Sequence, residues 1–123
     1  NPLACAVGNA VLDRILGPAF IANVDQMGQR LTWHLQQLAQ RFPHHVTEVR
    51  RKGLIAGVRI VPPVRDFVNR LRRNHHLLAV AAGDNVLRLL PPLIIDEGHV
   101  REAMTLLSQT ARAFAAGKKT VAA

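Results

Sequence analysis

The chain has 123 residues, enough for one domain with a substantial core. Hydrophobic residues make up 49% and charged residues 20%, a globular balance that excludes a disordered polypeptide. The single cysteine, Cys5, excludes an internal disulfide framework and a cysteine-cluster metal site and fits a reducing, cytoplasmic compartment, and no apolar run approaches the roughly 20 residues of a membrane-spanning helix.

The formal net charge of +8 raises nucleic acid as a partner. Basic clusters lie at Arg50-Arg51-Lys52, at Arg65, Arg70, Arg72 and Arg73, and at Lys118-Lys119. There is no tyrosine, and neither Trp33 nor the four phenylalanines interleave with these runs, so stacking platforms for bases are missing. Solvated surface and a basic tail account for the charge. A stand-alone basic module binding nucleic acid or an acidic partner is kept as the alternative reading. The chain opens Asn1-Pro2-Leu3 with no initiator methionine or cleavable leader, which favours a fragment of a longer protein.

In chain order, Asn1 suits an N-cap and Pro2 a first helical turn, and a helix is expected over residues 3–16, stopped by Gly17-Pro18. It is apolar nearly all round, the pattern of a helix enclosed in a larger body. A second helix over 19–41 carries Phe20, Val24, Met27, Leu31, Leu35, Leu38 and Phe42 as one stripe, suited to packing on a sheet, with Pro43 ending it. Two strands, 46–50 and 54–61, flank Lys52-Gly53; in the second, Leu54, Ala56, Val58 and Ile60 alternate with the other face. Pro62-Pro63 opens a third helix reaching about Asn74, with Val64, Phe67, Val68 and Leu71 on its apolar face. Strands over 77–82 and 86–90 surround a Gly83-Asp84-Asn85 turn. Asp96 is a good N-cap for a last helix bearing Val100, Ala103, Met104, Leu107, Ala111 and Phe114, and the tail from Gly117 is expected to fray. The order α-α-β-β-α-β-β-α predicts an α+β fold, a small antiparallel sheet covered on one face by helices.

Arg88 stands out chemically. It sits in Val86-Leu87-Arg88-Leu89-Leu90, where alternation puts Val86 and Leu90 on its own face. Arginine is seldom buried unless paired, and Asp84 lies roughly 13 Å back along extended chain, so the expected partner is a carboxylate from outside this polypeptide. The competing account is a strand-end arginine that snorkels to solvent or meets a structural acid. Guanidinium offers a planar fork that matches carboxylate oxygens. The pairs His44-His45 and His75-His76 read as solvated loop residues, since neighbours in extended chain point to opposite sides; His34 and His99 lie on helices without a carboxylate motif. Gly53-Leu54-Ile55-Ala56-Gly57 lacks the Gly-Lys-Ser/Thr of a phosphate loop, and Cys5 in the most apolar helix reads as an inert core thiol. No catalytic or metal-binding set can be assembled from these residues.

Four segments together resemble the class III, fold type I, pyridoxal-phosphate-dependent aminotransferases. Asn1-Pro2-Leu3-Ala4-Cys5-Ala6 looks like the helix start that follows a glycine pair near the cofactor phosphate in that family. Glu48-Val49-Arg50-Arg51-Lys52-Gly53-Leu54-Ile55-Ala56-Gly57 is similar to its small-domain hairpin, and Ala82-Gly83-Asp84-Asn85-Val86-Leu87-Arg88-Leu89-Leu90-Pro91-Pro92-Leu93 to the stretch with its substrate-side arginine. Ile94-Ile95-Asp96-Glu97 looks like the start of the last helix. Within the class the Gly83-to-Leu93 stretch looks most like the acetylornithine type; 4-aminobutyrate, ornithine and succinylornithine relatives stay open. The departure is Arg51, where the family usually has glycine, and a changed local turn is expected there.

The resemblance implies a homodimeric pyridoxal phosphate enzyme acting on N-acetylornithine or a similar amino donor and 2-oxoglutarate. It implies that residues 1–17 are a connecting helix from a large domain, 18–116 the C-terminal small domain and 117–123 a flexible tail. The cofactor lysine, the acid against the pyridine nitrogen and the phosphate donors precede the Asn1 helix in that family. Lys52, Lys118 and Lys119 do not sit in the corresponding motif, so this chain alone is expected to be inactive. Only Arg88 carries over, to the substrate-carboxylate side, exchanging with a large-domain glutamate between half-reactions.

Overall fold

The computed structural model describes residues 1–117; Lys118, Lys119 and all but the first residue of the expected tail lie outside the described residues. Eight elements follow in the expected order: α1 (Pro2–Ile15), α2 (Pro18–Arg41), β1 (Val46–Lys52), β2 (Ile55–Ile60), α3 (Val64–His75), β3 (Val80–Ala82), β4 (Val86–Leu89) and α4 (Glu97–Gly117). The strands form one four-stranded antiparallel sheet in the order β1-β2-β4-β3.

Two-residue alternation decides which side of this sheet is covered. Ala56, Val58 and Ile60 of β2 and Leu87 and Leu89 of β4 face inward, and each is buried. The stripes of α2, α3 and α4 close over them with Leu35, Leu71 and Leu107, none of which retains any accessible surface. Full burial of such a side chain contributes about 1.5–3 kcal/mol. Phe67 of α3 stacks on Phe114 of α4 with ring centroids 5.4 Å apart. Met27, Leu31, Leu35 and Leu38 of the α2 stripe all belong to this sheet-covering core, as expected.

Helix α1 stands apart. None of its residues is buried, and the chain bends by 68° between α1 and α2, where Gly17-Pro18 begins the second helix. Leu3 and Leu16 keep 72% and 74% of their surface exposed, and Cys5 is exposed too, against the expectation of a core thiol. The expectation assumed a cover over this helix, and among the described residues nothing supplies one. Among the described residues no single helix is long and apolar enough to cross a membrane.

The third strand is shorter than expected. After α3 the chain closes the helix with two residues: His76 adopts the left-handed conformation and Leu77 N–H donates to the Leu71 carbonyl at 3.2 Å. With the chain turned back on the helix end in this way, the ladder starts only at Val80.

Arg51, the departure from the family pattern, turns toward the helices, as its pairing opposite buried Ala56 requires. Its Nη1 donates to the Gly53 carbonyl at 2.8 Å, and Gly53 takes a positive φ of 58° that glycine adopts without steric cost. The expected local change is thus a side chain closing its own hairpin. Room for it comes from Gly28 on α2, where an added Cβ would lie 2.5 Å from Arg51 Nη1 and 2.8 Å from the Gly53 carbonyl oxygen.

The last helix begins as its sequence requires. Asp96 Oδ1 accepts from the His99 backbone N–H at 3.0 Å and lies 2.8 Å from His99 Nδ1. The backbone hydrogen bond from His99, helped by its ring, holds the Asp96 carboxyl below its ordinary value.

Gly28→Ala is expected to destabilise the fold by about 1–3 kcal/mol in urea unfolding. Adding Arg51→Ala should return only part of that loss, since the Gly53 carbonyl still blocks the new methyl. Because the folded Asp96 carboxyl is depressed, its capping contribution is present above the ordinary carboxylate range and is lost as pH falls through the depressed value. The stability gap between the unaltered protein and Asp96→Ala should therefore shrink on acidification, and a pH-independent gap in thermal melts would refute the charged cap.

Candidate functional site

With the helices on one side, the second face of the sheet is left open. Register assigns Glu48, Arg50 and Lys52 of β1, Ile55, Gly57 and Arg59 of β2, Val86 and Arg88 of β4, and Val80 of β3 to that face. Gly57 pairs with Arg50 on one side and Arg88 on the other, so the two arginines share a row across the sheet with a bare Cα between them. Two strand spacings put their Cα atoms about 10 Å apart. Arg50, Gly57, Val86 and Arg88 line one shallow cleft.

Arg88 itself differs from its expectation in one respect. It shares a face with Val86, but Leu90 lies past the end of β4 and the Arg88 side chain is exposed rather than enclosed by aliphatic neighbours. Among the described residues it forms no ion pair. Asp84, the acid nearest upstream, lies 4.0 Å from Arg59 instead. Desolvation within this chain therefore does not call for an anion at Arg88; what remains is an uncompensated guanidinium on an uncovered, partly apolar sheet face.

The turn before β4 sets where Arg88 stands. Asp84 and Asn85 both take positive φ, 55° and 57°, and Val86 N–H returns to the Gly83 carbonyl at 3.2 Å. This is the type I′ arrangement, whose twist matches paired strands. Asn85 holds it from within. Its Oδ1 accepts from Val64 N–H at 2.8 Å, capping α3, while its Nδ2 donates to the carbonyls of Pro62, at 2.8 Å, and Ile60. One amide thus binds the β3–β4 turn, the end of β2 and the start of α3. The sequence marks this residue only as a turn asparagine.

The histidines separate. His44 is exposed as expected, but His45, whose carbonyl accepts from Val61 N–H at 2.9 Å, is 9% exposed, and among the described residues its Nε2 has no partner. His34 packs edge-on against Trp33 with centroids 4.7 Å apart, and His99 serves the α4 cap. Among the described residues no group of three His, Cys, Asp or Glu side chains is placed to hold a metal.

Comparison with known proteins decides the family. The family profile described as aminotransferase class-III matches residues 1–111. This chain belongs to the class III aminotransferases. Acetylornithine aminotransferase from Brucella melitensis is 45% identical over 85% of the chain and 26% of its own length. An acetylornithine aminotransferase from Bradyrhizobium diazoefficiens is 42% identical over the whole chain and 30% of its own length. The chain thus spans less than a third of these relatives. N-acetylornithine aminotransferase from Stenotrophomonas maltophilia superposes with a TM-score of 0.86 at 28% identity, over 95% of this chain and 33% of that one. Class III membership displaces the reading of a stand-alone basic module.

Class III aminotransferases use pyridoxal phosphate, and the described residues do not by themselves fit that group. Lys52 is exposed at the end of β1, and Asp84 and Asp96 are engaged with Arg59 and the α4 cap. Sequence reasoning folded Arg50 into a basic run and did not place it beside Arg88; strand alternation was the available signal, since it sends Arg50 and Lys52 to one face and Arg51 to the other.

Asn85→Gly keeps the positive φ at no steric cost but removes the amide, and is expected to destabilise by about 1–3 kcal/mol because the Val64 N–H and two carbonyls lose their partner. A neutral Asn85→Gly in urea unfolding would show that backbone conformation alone accounts for the residue.

Proposed function

We propose that this chain is the C-terminal portion of a pyridoxal-phosphate-dependent transaminase, acting as an N-acetylornithine:2-oxoglutarate aminotransferase of cytoplasmic arginine biosynthesis. The observation that carries the reading is the class III match over residues 1–111 with acetylornithine aminotransferases at 42–45% identity among the relatives. In this reading residues 1–17 connect to a large domain and 18–116 form the small domain. The apolar, uncovered α1 supports that division, since such a helix needs a cover.

The cofactor supplies the electron sink for moving an amino group, and the large domain supplies its lysine, its pyridine-nitrogen acid and its phosphate donors. The complete enzyme is a homodimer, and this chain alone is inactive. The contribution made here is Arg88. It stands at the centre of the open sheet face, uncompensated by any acid among the described residues, with a fork that can take both oxygens of a substrate carboxylate. A large-domain glutamate exchanges with the substrate carboxylate at this arginine, so that two different substrates share one site.

In the complete protein, Arg88→Gln is expected to lower kcat/KM for both amino donor and 2-oxoglutarate by roughly 10- to 150-fold, the worth of a lost charge-assisted hydrogen bond. Arg88→Lys should recover little, because an ammonium cannot form the planar fork. Melting temperatures should hardly move, as the side chain is exposed in the domain. Unchanged steady-state kinetics with both substrates would remove Arg88 from the site.

A further inference from the structure

Two arginines on one row of the open face raise the question of what the second does. Arg50 lies opposite Gly57 on β1, as Arg88 does on β4. Its Nε is held 3.1 Å from Glu48 Oε1, two residues back on the same face, which fixes the side chain along β1. That contact occupies one edge of the guanidinium and leaves the other edge for a second acceptor. The Arg50 side chain keeps 61% of its surface exposed.

Between the two arginines the sheet carries a glycine flanked by the Val86 side chain. Gly57 has no side chain, and a Cβ there would already press to 3.2 Å against Val86 Cγ1. The cations on this face are Arg50, Lys52, Arg59 and Arg88, whereas Glu48 and Asp84 are its ion-paired carboxylates, so the face carries an excess of positive charge. Two like charges held on adjacent sides of a glycine gap repel each other, and an anion seated between them relieves that repulsion.

We propose that Arg50 and Arg88 grip one substrate carboxylate together over Gly57, Arg50 acting as a second carboxylate-positioning residue with Glu48 as its anchor. The inference rests on the reading of Arg88 as the substrate-carboxylate residue. It assigns Arg50 to the same anion rather than to a separate surface site. From Cα atoms about 10 Å apart, side chains of this length can both reach an anion seated over the gap, and a carboxylate has lone pairs enough for a fork from one arginine and a single bond from the other.

The test uses the complete holoenzyme and glutarate, a dicarboxylate without an amino or oxo group, as a competitive probe against 2-oxoglutarate. Arg50→Gln is expected to weaken glutarate binding roughly 10-fold and to raise KM for 2-oxoglutarate more than it lowers kcat. Arg50→Lys should fall between the two, and melting temperature should stay near that of the unaltered protein. Because one carboxylate is shared, Arg50→Gln should have much less effect in an Arg88→Gln background. Weakening by Arg88→Gln with none by Arg50→Gln overturns this inference and leaves the role of Arg88 standing. Effects of the two substitutions that simply multiply also overturn it, since they mark independent sites. Glutarate binding untouched by either substitution, or absent from the unaltered protein, overturns both readings.

Discussion

One-sided burial of a four-stranded sheet organises everything else in this domain. Three helices cover the face bearing Ala56, Val58, Ile60, Leu87 and Leu89, and extended backbone then has no choice about the other face. Each strand must send its intervening side chains away from the helices. In β1, β2 and β4 those side chains include Arg50, Arg59 and Arg88, so the same hydrophobic burial that stabilises the fold presents guanidinium groups on the open face. Fold and site share a single register: a slip of one residue in β4 would bury Arg88 and expose Leu87 and Leu89.

Two local devices keep that register. At one end of the sheet Arg51 closes the β1–β2 hairpin onto the Gly53 carbonyl, in space left by Gly28 on α2. At the other end Asn85 satisfies the first N–H of α3 and two carbonyls leaving β2, while its own backbone makes the left-handed turn into β4. Both replace flexible connections with hydrogen bonds, and both lie within a few residues of the arginine row. Where the resemblance led to an expected glycine at residue 51, the hairpin is kept because the guanidinium serves the turn.

The surfaces left uncovered are equally informative. Helix α1 buries none of its apolar residues, and Leu78, Leu90 and Ile94 retain 79%, 53% and 77% of their surface beyond the ends of the sheet. Apolar area of this extent costs free energy in water unless another body covers it. The chain spans 26–30% of the length of its acetylornithine aminotransferase relatives, and the uncovered helix and open sheet face are where the reading of a small domain places its neighbour.

Periodicity alone determined much of this protein. The stripe from Met27 to Leu38, the alternation from Leu54 to Ile60, the turn at Asp84-Asn85 and the cap at Asp96 are local patterns, and local backbone sterics and hydrogen bonding suffice to place them. Arg88 was legible as an unusual residue in an apolar strand, but its exposure was not, since that depends on where β4 ends and on which face the helices choose. Only the tertiary structure decided that Arg50 stands level with Arg88 across Gly57, that His45 is buried and that Asn85 bridges three segments. These are contacts between residues far apart in the chain. Sequence spacing carries no information about them until packing has set which strands are neighbours and in what register.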